Sequence, residues 1–170
     1  MKKYEFTGET KRVELWNRTA TLHRIKATVE FGFVKVGELG GWIEKEENLS
    51  HEGKAWVCGD AEVWGNAKVW GNAEVCDDAK VCGDAEVCGD AEVFLASHVL
   101  VMGSVGSRND FTTFFRDKDN EITVKCGCFL GKIDKFLEKV TQTHGNNKYA
   151  LVYRAAVEVA KLQIELTERK

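Results

Sequence analysis

Between Ala55 and Val93 the chain repeats a six-residue unit, Ala-x-Val-x-Gly-Asp/Asn. The hexads read AWVCGD, AEVWGN, AKVWGN, AEVCDD, AKVCGD and AEVCGD, followed by AEV, so that valine recurs at positions 57, 63, 69, 75, 81, 87 and 93. Residues two apart on an extended chain share a face, which sends each Ala and Val to one side and the intervening residues to the other. The Gly-Asp and Gly-Asn pairs suit tight corners, because Gly tolerates positive φ and Asn and Asp tolerate it better than most residues. Asp77 stands where the other hexads carry the corner glycine. A unit this short cannot bury its own apolar face and must stack on its neighbours, so an internal repeat outranks every local signal in the chain. Proline is absent, although average usage supplies roughly 8 in this length; short strands with tight corners have little use for it.

A period of six, with an aliphatic residue in one slot and a small residue two before it, resembles the hexapeptide-repeat family. The resemblance implies a mainly β chain built on a left-handed parallel β-helix, a triangular prism with three hexads to a coil. Residues 18 apart then become vertical neighbours. One face would carry Trp56, Cys58, Glu74, Cys76, Glu92 and Phe94; the second, Glu62, Trp64, Lys80, Cys82, His98 and Leu100; the third, Lys68, Trp70, Glu86, Cys88 and Ser104. At a rung spacing of about 4.8 Å, Glu62 over Lys80 and Lys68 over Glu86 are opposite-charge pairs worth a few tenths of a kcal/mol each. Leu39, Ile43 and Leu49 extend the rhythm backwards, and Val99 and Val105 extend it forwards. The helix is therefore expected over 37–105, in about three to four coils, between an N-terminal β cap (1–36) and a C-terminal unit (106–170). The flanking segments LHRIKATVEFG, VGELGGWIEKEENLS and GSRNDFTTFFRDKD…VKCGCFLGKIDKFLEKVTQTHGNNKYA are similar to those of small hexapeptide-repeat proteins of temperate phages and gut bacteria. That likeness implies a mobile-element origin and carries no activity with it.

The flanks read independently of the repeat. Thr21, His23, Ile25, Ala27 and Val29 alternate as a strand, and a cap is expected where an open end of stacked strands would otherwise template edge pairing. Phe111–Arg116, a polar turn at 117–120, and Ile122–Lys125 predict a hairpin. Ile133, Phe136, Leu137 and Val140 follow the i, i+3, i+4, i+7 spacing of an amphipathic helix. After Gly145-Asn146-Asn147, a second helix is expected from about Lys148 to Glu168.

Net charge is −3, with acidic and basic residues interleaved, so the chain lacks the basic stripe of a nucleic-acid binder. The start, MKKYEFTGETKRVE, has no apolar signal region, and the longest apolar stretch, Val93–Met102, is interrupted by Ser97 and His98. A cytoplasmic protein without a membrane segment is expected. Four of the six cysteines (58, 76, 82 and 88) occupy the repeat slot that Trp64 and Trp70 fill elsewhere. They are read as reduced, semi-buried apolar residues. Cys58 and Cys76 are near enough for a bridge, but parallel Cβ vectors fit a disulfide badly.

The best-known hexapeptide-repeat proteins are trimeric acyltransferases that bind coenzyme A between prisms and use a histidine base. By that resemblance His98 is the one repeat-region candidate, placed one rung above Lys80, where a neighbouring cation disfavours the imidazolium. Such enzymes close the site with a loop extruded from a coil, and Ala55–Val93 contains no insertion. Cys126 and Cys128 with His144 form a weak metal set, since zinc prefers C-x₂₋₄-C pairs and four ligands. The densest anion-gripping run is Gly106-Ser107-Arg108-Asn109-Asp110 with Thr113 and Arg116, completed by Lys125, His144 and Lys148. Outward Trp64, Trp70, Phe94 and Leu100 predict self-association, as a trimer by the resemblance. The expected function is thus a non-catalytic oligomeric binding protein without a cofactor. Its target would be a nucleotide-like anion, sequestered, or a host defence protein, occluded. The alternatives are a coenzyme A-dependent acyltransferase and a purely structural oligomer.

Overall fold

The computed structural model describes residues 1–167. Three strands open the chain, β1 (Tyr4–Glu14), β2 (Thr19–Ala27) and β3 (Leu39–Ile43). The repeat supplies seven strands of two residues each: β4 (Trp56–Val57), β5 (Glu62–Val63), β6 (Lys68–Val69), β7 (Glu74–Val75), β8 (Lys80–Val81), β9 (Glu86–Val87) and β10 (Glu92–Val93). Then come β11 (Val99–Val105), β12 (Asp110–Arg116), β13 (Ile122–Cys126) and β14 (Phe129–Lys132), followed by α1 (Ile133–His144) and α2 (Lys148–Gln163). The Glu168 end expected for the last helix lies outside the described residues; α2 itself stops at Gln163.

These strands form four separate sheets: β1-β2-β3-β5-β8, β10-β7-β4, β6-β9 and β11-β12-β13-β14. The first mixes antiparallel and parallel pairs, and the last is antiparallel throughout. The arrangement corrects the expectation of a regular left-handed parallel β-helix. Among the described residues no sheet closes on itself, both pairing directions are present, and two helices follow the last sheet. The physical reason is the length of the hexad: its Gly-Asp corner takes up most of the unit and leaves two residues to pair. All the longer strands lie outside the uninterrupted hexads, and where their turns are short they pair antiparallel.

Within the repeat the strands pair in parallel at an offset of 18 residues. Glu74 lies between Trp56 and Glu92, Glu62 faces Lys80, and Lys68 faces Glu86. Every hexad Ala and Val from Ala55 to Val93 is at most 1% exposed, and each buried valine contributes about 1.5–3 kcal/mol. Cys58 and Cys76 sit on adjacent rungs with Cα atoms 4.5 Å apart and form a disulfide, which corrects the expectation that both are reduced. That separation falls within the disulfide range, so rung stacking outweighs the unfavourable side-chain directions. Cys82, Cys88, Cys126 and Cys128 are free.

Two cores result. The first joins the repeat interior to Tyr4, Ile25, Ile43, Leu49 and Trp56. The second packs the last sheet on the helices through Phe114, Val124, Phe136, Val140, Tyr153 and Ala156. The β11–β12 pair is their common wall. Phe115, Val99 and Val101 belong to the first core, whereas Phe114, Leu100 and Met102 belong to the second. Helix α1 ends at Gly145, and the Asn147 side chain caps α2 by accepting the Ala150 N–H at 3.1 Å. No helix among the described residues is long and apolar enough to cross a membrane.

Candidate functional site

The second core leaves a cleft of about 180 Å³ between the sheet and the helices. The β11–β12 connection brings Ser107 and Arg108, the last residue of β13 brings Cys126, the turn after it Gly127 and Cys128, and β14 adds Phe129. Helix α1 presents Phe136, Lys139, Val140, Thr143 and His144, which follow the i, i+3, i+4, i+7, i+8 spacing of one helix face. Tyr153 of α2 lies at the base.

Two glycines allow the walls to approach this closely. Gly106 has φ +77, and a Cβ there would lie 1.9 Å from the Tyr153 hydroxyl. Gly127 has φ +56, and a Cβ there would lie 3.0 Å from Arg108 Nη1. Burial pushes the Tyr153 hydroxyl above its ordinary value, and the adjoining Cys126 thiol adds to the effect. The Cys126 sulfur accepts a hydrogen bond from the Thr112 hydroxyl at 3.3 Å. His144 packs between Tyr149 and Tyr153, with ring centroids 5.7 and 5.8 Å away. Arg108 and Lys139 are exposed and have no ion-pair or hydrogen-bond partner among the described residues. The cleft therefore combines an aromatic floor, a hydroxyl and thiol base, and a rim where Arg108 and Lys139 stand with the Asp110 carboxylate and the His144 ring. It can hold a planar group below and anionic oxygens above.

Of the residues expected to grip an anion, Ser107, Arg108 and His144 meet here. Arg116 does not. It is 9% exposed, donates to Asn120 Oδ1 (3.0 Å), the Glu92 carbonyl (3.1 Å) and Glu92 Oε2 (3.3 Å), and lies over the Phe94 ring. Thr113 is buried and its hydroxyl accepts the Glu86 N–H at 3.0 Å, while Lys125 pairs with Glu86 at 3.2 Å. Asn109 makes the turn at φ +48, its carbonyl accepting the Ser104 hydroxyl. Lys148 lies 5.8 Å from the Tyr149 ring and outside the cleft. Cys126, Cys128 and His144 all line the cleft, but among the described residues no three His, Cys, Asp or Glu side chains are grouped to hold a metal ion.

Sequence reasoning missed Lys139, Thr143 and Tyr153. The helical spacing from Phe136 would have found the first two; Tyr153 needs the packing of α2. His98 is corrected as well. It is 5% exposed, and its Nδ1 accepts the N–H groups of Phe94 (3.1 Å) and Leu95 (3.3 Å). It thus pins a loop instead of standing over Lys80 on an open face. The expected interface residues also divide. Trp70 is 37% exposed and Trp64 half-buried, but Phe94 lies under Arg116 and beside His98, and Leu100 packs on the second core. A longer apolar stripe runs along α2 and just beyond it, through Leu151, Ala155, Val159, Leu162 and Leu166, all exposed.

No protein-family model matches this chain, and no curated protein matches it.

Proposed function

We propose that this chain is a non-catalytic binding protein that takes a small, nucleotide-like anion into the cleft between its last sheet and its helices. The observation that carries the reading is the convergence of unpaired Arg108 and Lys139 with His144 above an apolar floor of Phe129, Phe136 and Val140. At about 180 Å³, the cleft is smaller than the roughly 300–1,000 Å³ of pockets that enclose drug-sized ligands. It admits one ring system and leaves phosphate oxygens at the rim, where a guanidinium binds them in bidentate fashion. Binding without turnover fits the side chains present. The Cys126 thiol is engaged by Thr112, and His144 is held by ring packing with no hydrogen-bond acceptor to orient it among the described residues. The acyltransferase alternative loses its base, because the lone pair of His98 Nδ1 is committed to the backbone.

Self-association through the α2 stripe is part of the same reading, since contiguous exposed apolar side chains mark protein interfaces. The likeness of the flanking segments to those of phage-borne proteins supports a mobile-element setting, in which sequestering a nucleotide-like signal interferes with the host. Isothermal titration against a panel of cyclic and linear nucleotides tests the binding. At least one nucleotide gives saturable heat, and Arg108→Ala and Lys139→Ala each weaken it about tenfold or more, as expected for loss of one charge-assisted contact. Absence of heat with every nucleotide sinks the reading.

A further inference from the structure

A larger groove, of about 670 Å³, lies on the face of the repeat built by β4, β7 and β10. The 18-residue register aligns Lys54, Asn72 and Asp90 in one column and Trp56, Glu74 and Glu92 in the next. Phe33, 92% exposed, stands at the edge of the groove on the turn between β2 and β3. Lys118 lines it from beyond β12.

Most of the charges here are already matched. Asp90 accepts from Asn72 (3.1 Å) and pairs with Lys118 (2.8 Å), Glu92 pairs with Arg116 (3.3 Å), and Glu38 accepts the Lys35 N–H (3.0 Å). Two groups are left over. The Glu74 carboxylate and the Lys54 ammonium have no partner among the described residues and do not pair with each other. The Trp56 ring, only 3% exposed, walls the groove, with its indole Nε1–H buried out of reach of a ligand there. Burial, with Glu92 beside it, holds the Glu74 carboxyl above its ordinary range, as expected where a counter-cation is missing.

A half-buried carboxylate without a partner and a free ammonium in a single groove call for a molecule bearing both charges. We infer that the groove binds a small zwitterion, an amino acid or short peptide with an apolar side chain. Its ammonium rests on Glu74, its carboxylate takes the Lys54 ammonium, and its side chain lies against Phe33 and the Cys58–Cys76 disulfide. The site is separate from the nucleotide cleft and shares no residue with it.

Titration calorimetry with L-phenylalanine, 2-phenylethylamine and 3-phenylpropionate tests the inference. Phenylalanine binds, and each analogue, lacking one charge, binds about tenfold to a hundredfold more weakly. Glu74→Gln weakens phenylalanine to the level of 3-phenylpropionate, and Lys54→Met weakens it to the level of 2-phenylethylamine. Glu74→Gln removes a like charge beside Glu92, so its melting temperature at neutral pH equals or exceeds that of the parent, which shows that lost binding is not lost folding. Arg108→Ala leaves phenylalanine binding unchanged, so failure of the nucleotide reading and failure of this one are distinguishable. No heat with phenylalanine, an analogue that binds as tightly, or full binding by Glu74→Gln overturns it.

Discussion

Asp77 occupies a corner at φ +55, where the other uninterrupted hexads place glycine. A side chain in the left-handed region costs about 1–2 kcal/mol, less for Asp than for most residues. Asp77→Gly is therefore expected to stabilise the protein by about 1 kcal/mol, read as a rise in melting temperature of about 2–4 °C. His98 gives a second test. Burial, and then the nearby Arg116 charge, hold it below its ordinary 6.5. The unfolded chain thus takes up a proton between 6.5 and the lower folded value while the native state does not, and stability falls with pH through that window. His51, whose Nδ1 accepts the Lys3 N–H at 3.2 Å and which is likewise held low by burial, adds a term of the same sign. Thermal melts from pH 7.5 to 5 should show a progressive loss. It should be shallower in His98→Asn, whose amide oxygen accepts the same backbone protons without titrating in this range.

At the scale of elements, legibility followed periodicity. The six-residue count located every buried Ala and Val from Ala55 to Val93, and the 3.6 spacing of Phe136 and Val140 located α1. What periodicity does not encode is how far each strand extends and which direction it pairs. Val99 continues the valine count yet lies on a seven-residue strand antiparallel to β12. The candidate site was half legible for the same reason. Arg108, Ser107 and His144 came from residue type, while Arg116 and Lys125 look identical in sequence and are consumed by Glu92 and Glu86 on the repeat. Helix α2 bears its own prediction. Leu151 and Leu162 are 60% and 89% exposed on one side of it, so the proposed self-association through this stripe predicts a larger species in sedimentation velocity that Leu151→Glu with Leu162→Glu reduces to monomer. Because neither residue lies in the second core, the circular dichroism spectrum should stay unchanged.

On the scale of the whole molecule, two cores meet in one pair of strands. Adjacent residues of β12 are assigned to different interiors, Phe114 to the helix–sheet core and Phe115 to the repeat, and both are fully buried. Cross-links reinforce the junction, from the Thr113 hydroxyl on the Glu86 N–H to the Arg116 pair with Glu92 and the Ala91–Asp117 bridge. A strand packed on both sides cannot leave one interior without disordering the other. The consequence is thermodynamic coupling: despite two hydrophobic centres, the chain has one cooperative unit. Calorimetry should give a single transition, with the calorimetric and van't Hoff enthalpies in agreement. Phe114→Ala and Phe115→Ala, each costing about 3–5 kcal/mol, should lower that same transition instead of splitting it. Amide exchange in β4–β10 should then quicken as much for Phe114→Ala as for Phe115→Ala, although Phe114 belongs to the other core.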